Sequence, residues 1–372
     1  MPSSPNRSSV VVWDIWVRLF HWLLVAAVLT AAYTGLFGAP KTLTIHLVAG
    51  STIAALLFCR LLWGVLGGGY ARLASFAYGP RTILAYLHGL RGGTSRRYLG
   101  HNPLGSIMVF ALLGVLALIV TTGVITLGGQ DKQGPLAAFT PFAVGWSIRG
   151  IHKLLALLVL AMVVFHLGGV LFESRHEHEN LTAAMITGRK RPEPGLLPPQ
   201  TRSSPKLALA LIVIFGGIIT AGVAALAALP GLGVPPATLD PDYDRECTSC
   251  HGAFHPSLLP LAAGQSILDD LKHHFGNDAS LDPAIAARIR TYMAANSAEH
   301  WDTLPAVMFR QSVNPKDPRR ITATGFWQRR HHDIPDAVFA GRRVNGRSSC
   351  DACHSDAATG RFAPQNIEIP AP

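Results

Sequence analysis

Residues 104–127 read LGSIMVFALLGVLALIVTTGVITL, a stretch without a single charged side chain. A helix needs about 20 mostly apolar residues to cross the hydrocarbon core of a bilayer, so this stretch predicts a transmembrane helix. Four other stretches meet the same requirement. The five predicted spans cover residues 19–36, 45–66, 104–127, 151–172 and 207–229.

The composition agrees with a membrane protein. Of the 372 residues, 49% are hydrophobic and 15% are charged, against about 25% charged residues in soluble domains. The formal net charge is +10, but residues 1–235 hold 18 basic and 6 acidic side chains, whereas residues 236–372 hold 14 and 16. Because the positive excess belongs to the apolar half, it indicates membrane topology and argues against a nucleic-acid partner.

Lysines and arginines in short loops predict the orientation, because they concentrate on the cytoplasmic side. Thirteen flank the predicted spans on one side of the membrane and three on the other. The thirteen are Arg7, Arg18, Arg72, Arg81, Arg91, Arg96, Arg97, Arg175, Arg189, Lys190, Arg191, Arg202 and Lys206; the three are Lys41, Lys132 and Arg149. We therefore expect a cytoplasmic N-terminus and, after five crossings, a C-terminal region outside the cytoplasm.

Two linkers divide the chain, a Pro-rich one at residues 192–205 and a second at residues 231–241. We expect residues 1–192 to form a membrane domain with four transmembrane helices. Residues 193–235 then hold the linker and a fifth transmembrane helix, and residues 236–372 form a periplasmic domain. The predicted fold class is all-α.

Four of the five cysteines form two identical motifs, C-T-S-C-H at 247–251 and C-D-A-C-H at 350–354. C-x-x-C-H is the signature of covalent haem c attachment. Two thiols add to the vinyl groups of one haem, and the adjacent histidine binds the iron. The motifs thus predict two haems c on Cys247, Cys250, Cys350 and Cys353, with His251 and His354 as proximal ligands. Haem c is attached outside the bacterial cytoplasm, which agrees with the charge-based orientation.

Two alternatives remain for these cysteines, a zinc site and a pair of disulfide-type redox motifs, but neither requires a histidine after both pairs. The fifth cysteine, Cys59, lies in an apolar span and is expected to be a small buried hydrophobe.

The distal haem c ligands must come from the same soluble region. Its candidates are His255, His273, His274, His300, His331, His332, Met293 and Met308. His255 follows His251 too closely to reach the opposite haem face. We expect one ligand from each histidine doublet, 273–274 and 331–332, with the other member solvated. The first doublet closes a predicted helix over residues 265–275, and a second helix is expected to begin at Asp282 with Pro283 in its first turn.

Four histidines, His21, His46, His152 and His166, lie in or at the ends of the apolar spans, where ionisable residues are costly and usually functional. His152 and His166 fall within about 40° of one helix face and about 21 Å apart. Matching the depths predicted by the orientation pairs His46 with His152 and His21 with His166. Such pairs hold haems between facing helices. The alternative is four interhelical hydrogen-bonding groups.

Other polar residues in the apolar half have simpler interpretations. Tryptophans near the first span, Trp13, Trp16 and Trp22, are expected at the membrane interface. Histidines in the cytoplasmic segments are expected to be solvated or to face headgroups; these are His88, His101, His176 and His178. Four cations either pair with haem propionates or extend to the interface; these are Arg18, Arg60, Arg149 and Lys153.

Several segments resemble the bacterial cytochrome b561 and Ni/Fe-hydrogenase b-type cytochrome family over roughly residues 8–192. They are VWD at 12–14, RLFHW at 18–22, the His46 segment, GHNPLG at 100–105, the His152 and His166 positions, ENL at 179–181 and MITGRKR at 185–191. This resemblance implies a four-helix core with two non-covalent b haems on His21, His46, His152 and His166. It also implies electron exchange with the membrane quinone pool. The sequence shows no hydrogenase subunit, so a hydrogenase partner does not follow.

The C-terminal region resembles the dihaem cytochrome c family over roughly residues 240–358. The resemblance rests on ECTSCH at 246–251, LLP at 258–260, HFG at 274–276, SLD at 280–282 and WQRRH at 327–331. It implies a small, mainly helical, loop-rich domain and favours His274 and His331 as distal ligands. The fifth transmembrane helix lies outside both resemblances and returns the chain to the periplasm.

The combined hypothesis is a membrane electron-transfer protein with two b haems and two c haems, connecting the quinone pool to a soluble periplasmic donor or acceptor. Two other functions stay open. A haem-based gas or redox sensor requires one c haem without a distal ligand. A superoxide:quinone oxidoreductase is suggested by basic residues near the outer face that could attract an anion, namely Lys132, Arg149 and Lys153.

Overall fold

In the computed structural model, residues 9–94, 96–191, 202–252 and 254–371 are described. Arg7 and most of the linker predicted at 192–205 lie outside these residues. Helices account for most of the described residues and strands for very few, which confirms the predicted all-α class. It divides into two compact units. The first consists of Met1–Phe37, Ile45–Gly123 and Arg149–Val223. The second consists of Gly38–Thr44, Val124–Ile148 and Ala224–Pro372.

Up to Ala227, the described residues form seven helices and one short strand pair. The helices are α1 Ile15–Phe37, α2 Leu43–Leu66, α3 Pro80–Arg91, α4 Pro103–Gln130, α5 Phe142–His176, α6 Leu181–Thr187 and α7 Pro205–Ala227. The strands β1 Val10–Val11 and β2 Arg189–Lys190 pair antiparallel. Short 3-10 turns occupy Pro40–Thr42, Gly69–Ala71 and Leu73–Phe76.

Five of these helices are long and apolar enough to span a membrane, as the sequence predicts: α1, α2 with the turn before it, α4, α5 and α7. They bury few of their residues inside the protein, and many large apolar side chains on them are exposed. This distribution is expected of helices whose outer faces contact lipid. Helix α5 is longer than the predicted span, since it begins at Phe142 and ends at His176.

The first unit has a core shared by four of these helices. Ala27 of α1, Ile53 and Leu57 of α2, Leu116 of α4 and Val159 of α5 pack together. The fifth long helix, α7, is attached near its start, where the N–H of Ser204 donates to the Leu66 carbonyl. The four-helix core thus carries all the intramembrane histidines of the predicted haem pairs.

The ends of the bundle are fixed by polar contacts. The Asp14 carboxylate accepts the N–H of Val17 in the first turn of α1. It also accepts the indole N–H of Trp63, at 2.8 Å. Trp13 is 5% exposed and packs in a separate cluster with Val12, Val17 and Leu99. Trp16 and Trp22 are exposed.

The second unit contains six short helices beyond residue 240, joined by turns. The helices are α8 Pro241–Cys247, α9 Leu261–Leu268, α10 Pro283–Ala295, α11 Leu304–Gln311, α12 Gly325–His331 and α13 Asp336–Ala340. The 3-10 turns are Pro256–Leu258, Leu271–His273, Ala298–His300, Ile321–Ala323, Cys350–Ala352, Ala357–Thr359 and Pro364–Asn366. Two small clusters form its core, one around Leu258, Phe309 and Trp327, and one around Tyr243 and Ile289.

The second predicted helix of this region is confirmed, whereas the first is shorter than predicted. Asp282 caps α10 by accepting the N–H of Ala284, with Pro283 in the first turn. The helix predicted over residues 265–275 ends at Leu268. Asp270 leaves the helical conformation, and its carboxylate binds the side chain of His273 at 2.7 Å, a local contact that competes with helix continuation.

Candidate haem sites and the cytochrome family

The two C-x-x-C-H motifs lie close together within the second unit. Cys247 ends α8, whose first turn is capped by Asp240, and Cys350 begins a 3-10 turn. A Cβ added to Gly252, directly after the first motif, would lie 2.8 Å from the Asp351 carboxylate inside the second. The Asp351 side chain of the second motif therefore lies directly against the residue that follows the first.

The four motif cysteines form no disulfide bond in the structure. Among the residues described, no group of three or more His, Cys, Asp or Glu side chains is placed to hold a metal ion. Burial raises the pKa of Cys247 and Cys350 to about 11.

Each motif histidine faces one histidine from elsewhere in the c region. The ring centroids of His251 and His274 are 6.2 Å apart, and those of His354 and His331 are also 6.2 Å apart. Two imidazoles on opposite sides of one iron, with bonds of about 2.0 Å, have centroids about 6 Å apart. Both pairs therefore fit the two axial ligands of one haem.

Aromatic side chains and backbone carbonyls orient these rings. His331 stacks on Trp327 at 4.4 Å and donates its Nδ1 hydrogen to the Trp327 carbonyl. His251 donates from Nδ1 to the Gly252 carbonyl at 2.7 Å. In both rings the Nδ1 hydrogen is used, so Nε2 is the nitrogen free to bind a metal.

The electrostatics of the c region favour neutral imidazoles. Burial lowers the pKa of His274, His331 and His354 below the ordinary histidine value. Neutral imidazole is the form that binds iron. The second member of each doublet is exposed and pairs with an acid: His273 contacts Asp270, and His332 contacts Asp333.

In the first unit, α2 and α5 bring together two of the predicted ligands. The centroids of His46 and His152 are 6.2 Å apart, the same distance as in the two c pairs. A Cβ added to Gly35 would lie 3.0 Å from the His46 ring, and one added to Gly123 would lie 3.1 Å from the His152 ring. Glycine at these two positions leaves room for the rings, which fits a haem held between them.

His21 and His166, the other predicted pair, also lie near each other. The two side chains interact electrostatically. Nδ1 of His21 is inaccessible to solvent and has no hydrogen-bond partner within the described chain. The ring of His21 is therefore not held by a hydrogen bond at Nδ1, unlike that of His46.

His101 belongs to this neighbourhood, so the expectation that it is solvated is wrong. Its ring lies 4.7 Å from Trp13 and 4.6 Å from Phe76, and its Nδ1 is buried without a partner. Burial lowers its pKa to about 3, with further contributions from Lys190 and Arg60. His101 lies in a loop, where the sequence has no periodic pattern that indicates burial, so the sequence did not predict its enclosed position.

One argument for a superoxide reaction also fails. Lys132 is 5% exposed, and its ammonium group lies 2.7 Å from the Asp302 carboxylate, so this lysine does not present free charge to a dissolved anion. Arg149 and Lys153 are exposed.

Comparison with known families agrees with this geometry. Residues 12–188 match the family described as prokaryotic cytochrome b561, and residues 243–362 match the family described as dihaem cytochrome c. A dihaem cytochrome c of known structure from Shewanella baltica OS155 is 32% identical, and the alignment covers 37% of this chain and 95% of that one, with a TM-score of 0.30. The chain belongs to the dihaem cytochrome c family over residues 243–362, and residues 12–188 match the prokaryotic cytochrome b561 family.

Relatives of each part show the same division. A probable Ni/Fe-hydrogenase B-type cytochrome subunit from Rhizobium leguminosarum bv. viciae is 24% identical over 217 residues, covering 50% of this chain and 90% of the relative. The corresponding subunit of hydrogenase 1 from Escherichia coli K12 is 24% identical over 235 residues, covering 54% and 98%. A dihaem cytochrome c from Rhodobacter sphaeroides is 33% identical, covering 32% and 94%, with a TM-score of 0.29. The two family matches support membrane electron transfer by a protein with haem b and haem c.

Proposed function

We propose that this cytochrome transfers electrons between the membrane quinone pool and soluble redox proteins of the periplasm. The observation that carries the proposal is the repeated 6.2 Å spacing of histidine pairs, found once in the membrane unit and twice in the c region. Equal spacing at sites with different sequences is what one shared function, axial ligation of haem iron, requires.

The proposed inventory is two b haems and two c haems. Cys247 and Cys250 hold one c haem, and Cys350 and Cys353 hold the other. The iron ligands are, for the b haems, His46 with His152 and His21 with His166, and for the c haems, His251 with His274 and His354 with His331. When bound, haem iron supplies a one-electron redox centre at each pair.

Aromatic side chains lie against one proposed ligand of each c haem. Phe254 and Phe362 lie edge-on to His251 and His354, at centroid distances of 5.0 Å and 4.9 Å. Apolar surroundings and ligand orientation are the means by which a protein adjusts haem potentials. A rigid shell of this kind also limits the rearrangement of the site when its charge changes.

Contacts within the second unit involve the segment that follows the second C-x-x-C-H motif. The turn Pro364–Asn366 contacts the turn Pro40–Thr42. Arg361 also donates to the Lys132 carbonyl in the loop between α4 and α5.

The proposed placement is the bacterial inner membrane with a cytoplasmic N-terminus. The excess of basic residues on one set of loops supports it. In this arrangement residues 1–192 form the b-type domain, residues 193–235 the linker and fifth transmembrane helix, and residues 236–372 the periplasmic c domain.

Anaerobic reduction of the purified protein by a short-chain quinol tests the function. We expect the b bands to be reduced first and the c bands afterwards, with electrons appearing in an added soluble cytochrome c only after the c bands change. Reduction of the c haems by quinol in a His46→Ala variant at the wild-type rate would contradict the proposed route.

The gas-sensor alternative needs an open iron position, and the paired histidines argue against one at either c haem. Carbon monoxide separates the two functions. We expect the spectrum of the reduced wild-type protein to be unaffected by carbon monoxide, and that of His274→Ala to change. A carbon monoxide adduct in the wild-type protein would favour the sensor.

A further inference from the structure

Two hydrogen-bond acceptors hold the His46 ring from a neighbouring helix. Its Nδ1 lies 3.0 Å from the Ala31 carbonyl oxygen and 3.3 Å from Thr34 Oγ1, both on α1. A carbonyl oxygen only accepts hydrogen bonds, so Nδ1 carries the hydrogen and Nε2 faces away with a free lone pair. The Thr34 hydroxyl donates its own hydrogen to the Thr30 carbonyl at 2.7 Å, which leaves its oxygen as an acceptor for the ring.

The same arrangement recurs at His152 with residues from α4. Its Nδ1 lies 3.1 Å from the Ile119 carbonyl oxygen and 3.1 Å from Thr122 Oγ1. The Thr122 hydroxyl donates to the Leu118 and Ile119 carbonyls, 3.0 Å away in each case. The two rings of one pair are therefore held by equivalent groups on two different helices.

A glycine follows each threonine, and each glycine faces the ring that the threonine holds. A Cβ on Gly35 would lie 3.0 Å from Cε1 of His46, and a Cβ on Gly123 would lie 3.1 Å from Cε1 of His152. These distances are shorter than ordinary carbon–carbon contacts, so alanine would push the ring away. Helix-interior glycine costs roughly 0.5–1 kcal/mol relative to alanine, so its use at both positions calls for a local reason.

We propose that the Thr34–Gly35 and Thr122–Gly123 pairs are positioning elements for one b haem: they fix the tautomer and the plane of both axial imidazoles and lower the reduction potential of that haem. The inference rests on the proposed function in taking His46 and His152 as iron ligands. An acceptor on Nδ1–H makes the imidazole a stronger donor, which stabilises ferric over ferrous iron. The other b site provides an internal reference, because Nδ1 of His21 has no hydrogen-bond partner in the described chain.

The test compares Thr122→Val with Thr121→Val in the full-length protein purified in detergent. Valine keeps the shape of threonine and removes the hydroxyl. Thr121 is exposed on the same helix and bonds only its own helix through the Ala117 carbonyl, so it is the matched control. Redox titration of the b bands gives the midpoint potentials. A His46→Ala variant identifies which b component belongs to this site, since that component should disappear.

We expect Thr122→Val to raise the midpoint potential of that component and to leave the other b component and both c haems unchanged. Thr121→Val should match the wild type. Equal potentials in the two variants would overturn the inference, and so would a shift confined to the component that survives in His46→Ala. Absence of extractable haem from the wild-type protein would instead refute the proposed function, so the two failures are distinguishable.

Glycine substitutions test the steric half of the inference. Gly114 lies on α4 with nothing within 4 Å of an added Cβ, which makes Gly114→Ala the control for Gly123→Ala. We expect Gly123→Ala to shift the electron paramagnetic resonance signal of the ferric haem at this site or to lower its haem content, and Gly114→Ala to do neither. Wild-type signal and content in Gly123→Ala would contradict the role of the glycine.

Discussion

The ammonium nitrogen of Lys132 lies 2.7 Å from Oδ2 of Asp302, 170 positions further along the chain. The lysine side chain is 3% exposed and also donates to the Thr140 carbonyl at 3.0 Å. The same Asp302 oxygen accepts the N–H of Phe142, the first residue of α5. One carboxylate thus neutralises a buried cation and caps the membrane helix that carries two of the proposed haem ligands.

Removal of the Asp302 charge should strongly weaken its contact with Lys132. Asp302→Asn leaves the buried Lys132 cation without a counter-charge. We expect the free energy of unfolding of the c region to fall by about 3 kcal/mol, the low end for buried pairs, because the Asp302 side chain is partly exposed. Denaturant titration in detergent, followed by circular dichroism of the haem bands, measures this change.

A matched surface pair provides the control. Asp269 binds Arg290 at 2.7 Å, with both side chains at least 39% exposed. Asp269→Asn should cost less than about 1 kcal/mol. The Lys132→Met/Asp302→Asn double variant should regain part of the stability lost in Asp302→Asn. Equal losses in Asp302→Asn and Asp269→Asn would show that the buried pair does not hold the c region to the membrane loop.

The angles between paired histidine rings predict the spectra of the ferric haems. The ring planes make an angle of 28° in the His251–His274 pair, 72° in the His331–His354 pair and 80° in the His46–His152 pair. Nearly parallel imidazoles give a rhombic low-spin electron paramagnetic resonance signal, whereas nearly perpendicular ones give a signal dominated by one large g value. We expect one component of the first kind and at least two of the second.

Loss of one ligand assigns these components. His274→Ala should remove the rhombic component and leave the large-g components in place. If the variant instead lost a large-g component and kept the rhombic one, the ring arrangement at the first c motif would be wrong.

His255 should make the stability of the c region depend on pH. The residue is 1% exposed, its Nδ1 contacts Ser257, and burial lowers its pKa to about 4. In the unfolded chain the pKa returns to about 6.5, so between these values the unfolded state binds more protons and stability falls as the pH falls. We expect this residue alone to remove about 3 kcal/mol of stability between pH 7 and pH 4.

His255→Gln isolates that contribution, because other buried histidines titrate in both proteins. The variant should show a shallower decline of unfolding free energy below pH 6.5 than the wild type, whatever its stability at pH 7. Parallel pH profiles for the two proteins would mean that His255 is not buried in its neutral form.

The sequence was sufficient for the features that depend on composition and spacing. Long apolar stretches predicted all five long helices, and depth along those helices predicted that His46 would face His152. The C-x-x-C-H motifs predicted covalent haem c. These features depend on local sequence patterns, which can be recognised without knowing the tertiary structure.

Features that depend on distant partners were not predictable. His101 is buried because Trp13 and Phe76 enclose it, and neither residue is near it in the sequence. In the sequence, the threonines that hold His46 and His152 cannot be distinguished from any other threonine in an apolar helix. The Lys132–Asp302 pair joins residues 170 positions apart in the sequence, so the sequence suggested a free cation where the structure has a buried one.

The haem content of a His166→Ala variant tests the central claim most directly. Acid–acetone extraction separates non-covalent from thioether-bound haem. The account predicts two extractable and two retained haems per wild-type chain, and in the variant one extractable haem at most with both retained haems still present. His88→Ala, which alters an exposed histidine outside the pairs, should match the wild type. Two extractable haems in His166→Ala would contradict the assignment of the membrane histidines as haem ligands.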